Sequence, residues 1–385
     1  MPVTTAATNN AAANNSSNSK SAAPVAVTPF VRASMEHREL NSDISRALTT
    51  SQQDLGAIDI NAYGYLRNIV LLVQATGGSG TGVAGAEDAP FNVLQSIQIA
   101  EPNGSVIANF NTGYDLYLAN KYGGYRNTVG TDPRSYPVFS PIAAASGNFT
   151  FMLRIPIEII PRDALGALPN QNSAASFKLK LQLAPSTTVY STVPTTLPTV
   201  RVRAYLEAWD QPEPVVGGVA NATTPPAVNT TQFWSFQTFN VSAGMQTVRL
   251  TRVGNYIRNL IFVYRAATRA LGETNFPDPM TLTLDTRPID VIERNNGRLQ
   301  MAERTGYGVA LGGTVPALDS AQGLDSGVFV YDFTHEADGQ LGYEYGDLWL
   351  PTLGSTRLEV SGNFGAAGVL SVLTNDVAVA SSIWR

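Results

Sequence analysis

The sequence predicts an all-β chain folded as two tandem jelly-roll β-sandwiches, and three observations carry that expectation. From residue 57 onward, short runs rich in Val, Ile, Leu, Tyr and Phe alternate with clusters of Gly, Pro, Asn and Asp. The segment Tyr65-Leu66-Arg67-Asn68-Ile69-Val70-Leu71-Leu72-Val73 recurs 191 residues later as Tyr256-Ile257-Arg258-Asn259-Leu260-Ile261-Phe262-Val263-Tyr264. Tyr, Arg and Asn are identical, and apolar or aromatic residues align elsewhere. A stretch without periodicity, containing Gln211-Pro212-Glu213-Pro214, Gly217-Gly218 and Pro225-Pro226, separates the two copies. About eight short strands per copy, joined by long and variable connections, are what a jelly roll needs.

Read in chain order, residues 1 to about 29 are Ala, Asn, Thr and Ser with one Lys and no aromatic, too little apolar material to offset the entropy of ordering. Residues 34–49 differ: Leu40, Ile44 and Leu48 fall at i, i+4 and i+8, charged residues occupy other faces, and Ser34 offers a cap. This spacing predicts a short amphipathic N-terminal helix, packed either on its own domain or, as an arm, on a neighbour or a membrane surface. The arm through residue 50 has only Lys20, Arg32, Arg38 and Arg46, offset by Glu36, Glu39 and Asp43, so direct nucleic-acid binding is not expected.

Strands are expected at 67–74, 91–99, 149–155, 177–183, 200–208, 247–253, 259–265, 280–284, 328–333, 356–361 and 369–374. Thr112 with Asp115 three residues on reads as a capping box. Tyr114, Leu118 and Tyr122 then share a helical face before Gly123-Gly124 stops it, giving a helix that joins strands rather than forming a layer. In the second copy Asp290 and Glu293 offer a similar start. Two weaker matches follow in order, 149–152 with 328–331 and 176–179 with 355–358, both 179 residues apart. The residues after Asn68 and Asn259 are apolar on both faces, so these strands should be covered on each side by a second sandwich. The expected organisation is an arm at 1–50, a first jelly roll at 51–212, a linker at 213–231 and a second jelly roll at 232–385.

Composition narrows the chemistry. The 385 residues carry Lys+Arg 25 and Asp+Glu 30, and charged residues are 14% of the chain, well below the roughly 25% of ordinary soluble domains. With no cysteine, disulfide scaffolds, thiolate metal sites and cysteine catalysis are excluded. Two histidines, His37 and His335, leave little for a zinc centre or a Ser-His-Asp triad. No apolar run reaches the length of a spanning helix, and the start MPVTTAATNN lacks the basic and apolar regions of a signal peptide, so a classical secretion route is not expected.

Two motifs invite functional readings. Gly80-x-Gly82-x-x-Gly85 matches the dinucleotide fingerprint in letters, but Ala86-Glu87-Asp88-Ala89-Pro90 leads into another β-run, so a surface loop is expected. The stretch Asp332-Phe333-Thr334-His335-Glu336-Ala337-Asp338 gathers three carboxylates and a histidine, which reads best as a solvated turn after a strand. Arg67 and Arg258, at one repeat position, are expected to be structural: a guanidinium can hold a carboxylate or carbonyls while the neighbouring Asn bonds a turn. Neither catalytic, cofactor nor metal site is assigned.

The layout resembles the double jelly-roll major capsid protein of tailless, membrane-containing icosahedral bacteriophages, the tectivirus type. The resemblance is carried by Tyr114-Asp115-Leu116-Tyr117-Leu118, by Ile155-Pro156-Ile157-Glu158-Ile159-Ile160 with Arg162-Asp163-Ala164-Leu165 through Asn170, and by the repeated Tyr-x-Arg-Asn strands, and it covers residues 34–385 as architecture. It implies a homotrimer whose six rolls give a near-hexagonal outline and tile a virion shell made in the host cytoplasm. The implied partners are neighbouring trimers, vertex and minor capsid proteins and an internal viral membrane. The resemblance assigns Leu40, Ile44 and Leu48 to assembly and the loops 77–90, 121–141 and 266–279 to outer towers. Deleting residues 1–50 is then expected to leave a folded trimer that assembles poorly. The alternatives are a tandem β-sandwich hydrolase of glycans or glycoproteins, and a trimeric virion spike or binding protein.

Overall fold

The computed structural model describes residues 26–123, 125, 138–294, 325–334 and 349–378. In chain order the first half comprises α1 (Phe30–Ala33), β1 (Glu36–Ala47), β2 (Gln53–Asp59), β3 (Tyr65–Thr76), β4 (Leu94–Ala100), β5 (Val106–Thr112), α2 (Gly113–Tyr122), β6 (Phe149–Pro156), β7 (Lys178–Leu183), α3 (Ser186–Val189) and β8 (Thr199–Trp209). The second half comprises β9 (Thr231–Val241), β10 (Gly244–Leu250), β11 (Tyr256–Arg265), α4 (Arg269–Asn275), β12 (Met280–Leu284), β13 (Arg287–Ile292), β14 (Val328–Asp332), β15 (Leu358–Phe364) and β16 (Gly368–Ala378). Short two- and three-residue ladders decorate the connections.

The pairing reveals the same jelly roll twice. In the first roll one sheet runs β1-β8-β3-β6 and the other β2-β7-β4-β5; in the second the orders are β9-β16-β11-β14 and β10-β15-β12-β13. Each strand thus has a counterpart eight strands later. The two rolls share a sheet, because β5 of the first pairs in parallel with β9 of the second through Trp234 and Ala108. Inward alternation builds each core: on β6, Phe149, Phe151, Leu153 and Ile155 are buried while Thr150, Met152 and Arg154 lie on the other face. Each such side chain contributes about 1.5–3 kcal/mol on burial.

Three expectations need correction. Residues 36–47 form a strand, β1, paired antiparallel with β8 from Glu36↔Trp209 to Ala47↔Thr199, and not an amphipathic helix. A spacing of four is a multiple of two, so Leu40, Ile44 and Leu48 satisfy strand periodicity as well as helical periodicity, and the open edge of β8 decides between them. A register shift between Leu40 and Ser42 turns the strand, so that Ile44 packs on the core, Leu48 is buried and Leu40 faces out at 48% exposure. Deleting residues 1–50 therefore removes an edge strand of the first roll and not a detachable arm.

Asp290, expected to start a helix, lies within β13, where its carboxylate accepts the Tyr331 hydroxyl at 2.5 Å. The match of 149–152 with 328–331 identifies the right strands, β6 and β14, in the wrong register. Val70 pairs with Arg154 and its repeat counterpart Ile261 pairs with Val330, an offset of 176 residues. Alternating apolar runs resemble themselves at several shifts, and only ladder pairing fixes one.

The both-face burial expected of the repeated strands is present. On β11, Leu260, Phe262 and Tyr264 enter the second roll's core while Ile261 and Val263 join the first roll's cluster. That outer cover is α2, whose Tyr114, Tyr117, Leu118 and Tyr122 belong to the same cluster. The helix is therefore the wedge between the rolls rather than a simple joining segment. Its capping box is formed, with the Thr112 hydroxyl accepting from the Asp115 N–H at 3.3 Å and the Asp115 carboxylate accepting from the Thr112 N–H at 3.1 Å. At its end a Cβ on Gly123 would fall 2.3 Å from the Ala119 carbonyl oxygen. Among the described residues no helix is long and apolar enough to cross a membrane.

Candidate functional site: the junction between the rolls

The repeated Tyr-x-Arg-Asn motif encodes a β-bulge. Asn68 pairs with Glu207 and Leu66 with Ala208, so this ladder steps over Arg67; Asn259 pairs with Asn375 and Ile257 with Asp376, so that ladder steps over Arg258 in the same way. The bulge re-aims each arginine. Arg67 donates Nε to Glu158 at 2.8 Å, lies 2.8 Å from Glu36 and stacks 4.1 Å over the Trp209 ring, whose Nε1 also donates to Glu158 at 2.6 Å. Burial raises the Glu158 pKa, opposed by the positive charge of Arg67. Asn68 donates to Glu207 and accepts from the Ile157 N–H, both at 3.4 Å.

In the second copy Arg258 is fully buried at the junction, donating to the Tyr125 hydroxyl at 3.0 Å and to Asn375 at 2.9 Å. Gln232 ties the same network to the first roll by donating to the carbonyls of Ile157 at 3.0 Å and Glu158 at 3.1 Å. Asn259 differs from Asn68: it is fully buried, and among the described residues neither its Nδ2 nor its Oδ1 has a hydrogen-bond partner. Tyr65 packs edge-on against Phe30, and Tyr256 packs on the cluster of Ile159, Ile160, Leu165 and Trp349 that joins the rolls at that end.

A second polar cluster lies around α2. Lys121 is fully buried and reaches Asp325 at 2.8 Å, while the Tyr122 and Tyr117 hydroxyls donate to the same carboxylate at 2.9 and 3.2 Å. Burial, reinforced by the charge of Asp325, pushes the phenols of Tyr114 and Tyr122 well above their ordinary range. Beside them Asp88, from the first roll, holds two arginines of the second, Arg265 at 2.8 and 2.9 Å and Arg269 at 2.8 Å. A cavity of about 410 Å³ opens here, lined among others by Asp88, Phe91, Tyr114, Tyr117, Arg269 and Asp325. The charges face one another in pairs across the roll boundary, which suits holding two bodies together.

The other sequence motifs fall elsewhere. Ala84–Gly85 form a short ladder with Tyr190–Thr192, so the Gly80, Gly82 and Gly85 loop is a surface ladder with no helix to receive a pyrophosphate. Asp332 ends β14 and accepts from the Thr334 N–H at 2.9 Å and hydroxyl at 2.7 Å; His335, Glu336 and Asp338 lie outside the described residues. His37 stacks on Tyr63 at 4.1 Å on β1. Among the described residues no three His, Cys, Asp or Glu side chains gather as a metal ion requires.

Sequence reasoning missed a Leu-Pro pair in each copy. Leu168-Pro169 pairs with Leu66 and Tyr65, and Leu350-Pro351 pairs with Ile257 and Tyr256, so each pair covers the start of its bulged strand. Both pairs precede a polar residue whose backbone closes the turn before the strand: the N–H of Asn170 donates to the Gly64 carbonyl, and that of Thr352 to the Asn255 carbonyl. The recurrence of Leu-Pro at matched places was visible in the letters, though two residues are too few to stand out unaided.

No family model matches the chain, and no curated protein does. Solved structures do match in fold. The STIV MCP aligns at a TM-score of 0.59 with 13% identity, covering 90% of this chain and 97% of that one. The major capsid protein of Bacteriophage PM2 aligns at 0.51 with 11% identity, covering 91% and 99%. A chain of the PBCV-1 virus capsid aligns at 0.54 with 11% identity, covering 89% and 93%. The chain therefore has the double jelly-roll fold of these major capsid proteins over nearly its whole length.

Proposed function

We propose that this chain is the major structural subunit of an icosahedral virion shell, acting through extended interfaces rather than a catalytic site. The observation that supports this best is the near end-to-end agreement with the STIV and PM2 capsid proteins, in which both rolls and their connection are matched at once. The shared sheet, the half-buried clamp of Asp88 and the buried one of Lys121 add to it, since they tie the two rolls into one tile. Three such chains close into a pseudo-hexagonal trimer, and trimers tile the shell together with vertex and minor proteins over an internal membrane. Leu40, at the exposed edge of the first roll, belongs to the assembly surface in this reading, whereas Ile44 and Leu48 serve the fold.

The test is assembly of the purified chain, followed by light scattering and electron microscopy as concentration rises. Trimers that grow into curved sheets or shells support the proposal. A chain that remains a monomer at every concentration overturns it.

A further inference from the structure

The cavity of about 410 Å³ beside α2 has the dimensions of a small-molecule site, whose usual range is roughly 300–1,000 Å³. Segments of both rolls meet there. From the first roll, Asp88-Ala89-Pro90-Phe91 leads into β4, Tyr114 and Tyr117 stand three apart on one face of α2, and Phe139 and Pro141 precede β6. The second roll contributes Arg269, at the start of α4, and Asp325, ahead of β14. Phe91, Tyr114 and Tyr117 are buried, whereas Phe139 and Ala89 are half-buried and Pro141 is exposed, so the mouth lies on the side of these last three.

Aromatic faces make the wall. Phe91 stacks on Tyr117 with ring centroids 4.5 Å and planes 18° apart, Tyr114 on Tyr117 at 5.5 Å and 25°, and Phe139 on Phe91 at 5.8 Å and 28°. Such near-parallel rings favour another flat ring, which adds by offset stacking, over an alkyl chain. Charge on the wall is already matched: Asp88 is held by Arg265 and Arg269, and Asp325 by Lys121. A charged guest would lose its water and find no unmatched charge among the lining residues. Hydrogen-bonding capacity does remain. The Tyr114 hydroxyl accepts from Arg269 at 3.5 Å and donates to no described residue, so its proton is open to a guest. Burial raises the pKa of this phenol well above its ordinary value, which keeps that proton in place. Oδ2 of Asp88 takes only one of the three arginine contacts and retains a lone pair for a donor.

We propose that this cavity binds one small, flat, uncharged aromatic molecule of about two fused rings, whose edge carries both a hydrogen-bond donor and an acceptor. The size follows from the volume: at about 30 Å³ for a water-sized group, 410 Å³ holds about 14 non-hydrogen atoms. The guest's rings lie against Phe91 and Tyr117, its donor meets Asp88 and its acceptor meets the Tyr114 hydroxyl. It touches both rolls, and its binding does not depend on how copies of the chain assemble.

The probe is 2-naphthamide, set against 2-naphthoate, which is charged, and decahydro-2-naphthamide, which keeps the amide without the flat rings. Titration calorimetry and thermal melts of the purified full chain are expected to show one naphthamide per chain and a melting temperature raised by about 2 °C at ten times its Kd. The other two compounds are expected to bind more weakly by about fivefold or more. Ala89→Trp fills the mouth with a ring and is expected to abolish naphthamide binding in a chain that still folds. Tyr114→Phe removes only the hydroxyl and is expected to weaken binding about fivefold, as the loss of one neutral hydrogen bond does. No shift with naphthamide, equal binding of the saturated amide or of the naphthoate, or undiminished binding by Ala89→Trp overturns the site. Should Ala89→Trp fail to fold, Tyr114→Phe decides alone, and an unchanged affinity there overturns the proposal.

Discussion

Replacing Asp88 by alanine cuts the clamp between the rolls at its most connected point. The carboxylate holds Arg265 through two contacts of 2.8 and 2.9 Å and Arg269 through one of 2.8 Å, and Arg269 is buried against the Tyr114 ring at 4.8 Å. Removing one side of a buried ion pair costs about 3–5 kcal/mol, whereas a half-open pair is worth under about 1 kcal/mol. Arg269 belongs to the first class; Arg265, whose side chain is 24% exposed, lies nearer the second. The combined cost is about 3 kcal/mol. For 385 residues melting as one unit, an unfolding entropy of about 2.1 cal/mol/K per residue converts this to a fall of about 4 °C. Calorimetry of the parent, Asp88→Ala, Arg269→Ala and the double variant reads both the fall and the coupling between the partners. A midpoint within about 1 °C of the parent, with no coupling in the cycle, refutes the clamp.

Other outcomes follow from the same contacts. Burial pushes the Asp115 pKa up to about 6, so the folded state holds its proton longer than the unfolded chain, and stability falls as pH rises from about 4 to 6, by about 3 kcal/mol. A carboxyl titration of Asp115 at or below its ordinary value would contradict this. Arg67→Ala strands Glu158 and is expected to cost about 3–5 kcal/mol in urea melts, while Asn259→Leu, which removes an amide with no partner, stays within about 1 kcal/mol. Equal costs for the two would refute the contrast drawn between the bulges. Gly272→Ala places a Cβ 1.9 Å from the Tyr264 carbonyl oxygen, where α4 crosses β11, and is expected to cost at least about 2 kcal/mol or to yield insoluble chain. Deleting residues 1–50 removes β1 and is expected to lower the melting temperature; an unchanged value would mean the strand adds nothing to the first roll.

The tandem fold was legible because the duplication left its trace in one strand per roll, the bulged one. Tyr-x-Arg-Asn survives in both copies because the bulged arginine and the adjoining Asn must occupy matched positions on the ladder, even though their partners differ. The strand β1 was not legible as a strand, because a four-residue spacing suits both periodicities and the deciding partner, β8, lies more than 150 residues away. The wedge role of α2 was hidden for a related reason. Its sequence, GYDLYLANKY, carries Asp115, Asn120 and Lys121, which look solvent-facing; the Arg154 backbone on β6 takes up the Asn120 amide, and Asp325 of the second roll takes up Lys121. Asp88 and Asp325 gave no local signal at all, since their partners are Arg265, Arg269 and Lys121 across the roll boundary.

The measurement that tests the central claim most directly is the mass of the purified chain in solution, by size-exclusion chromatography with light scattering across a wide concentration range. A species of three 41.0 kDa chains, growing into larger sheets or shells as concentration rises, is the expected result. A monomer of 41.0 kDa throughout would contradict the shell-subunit account.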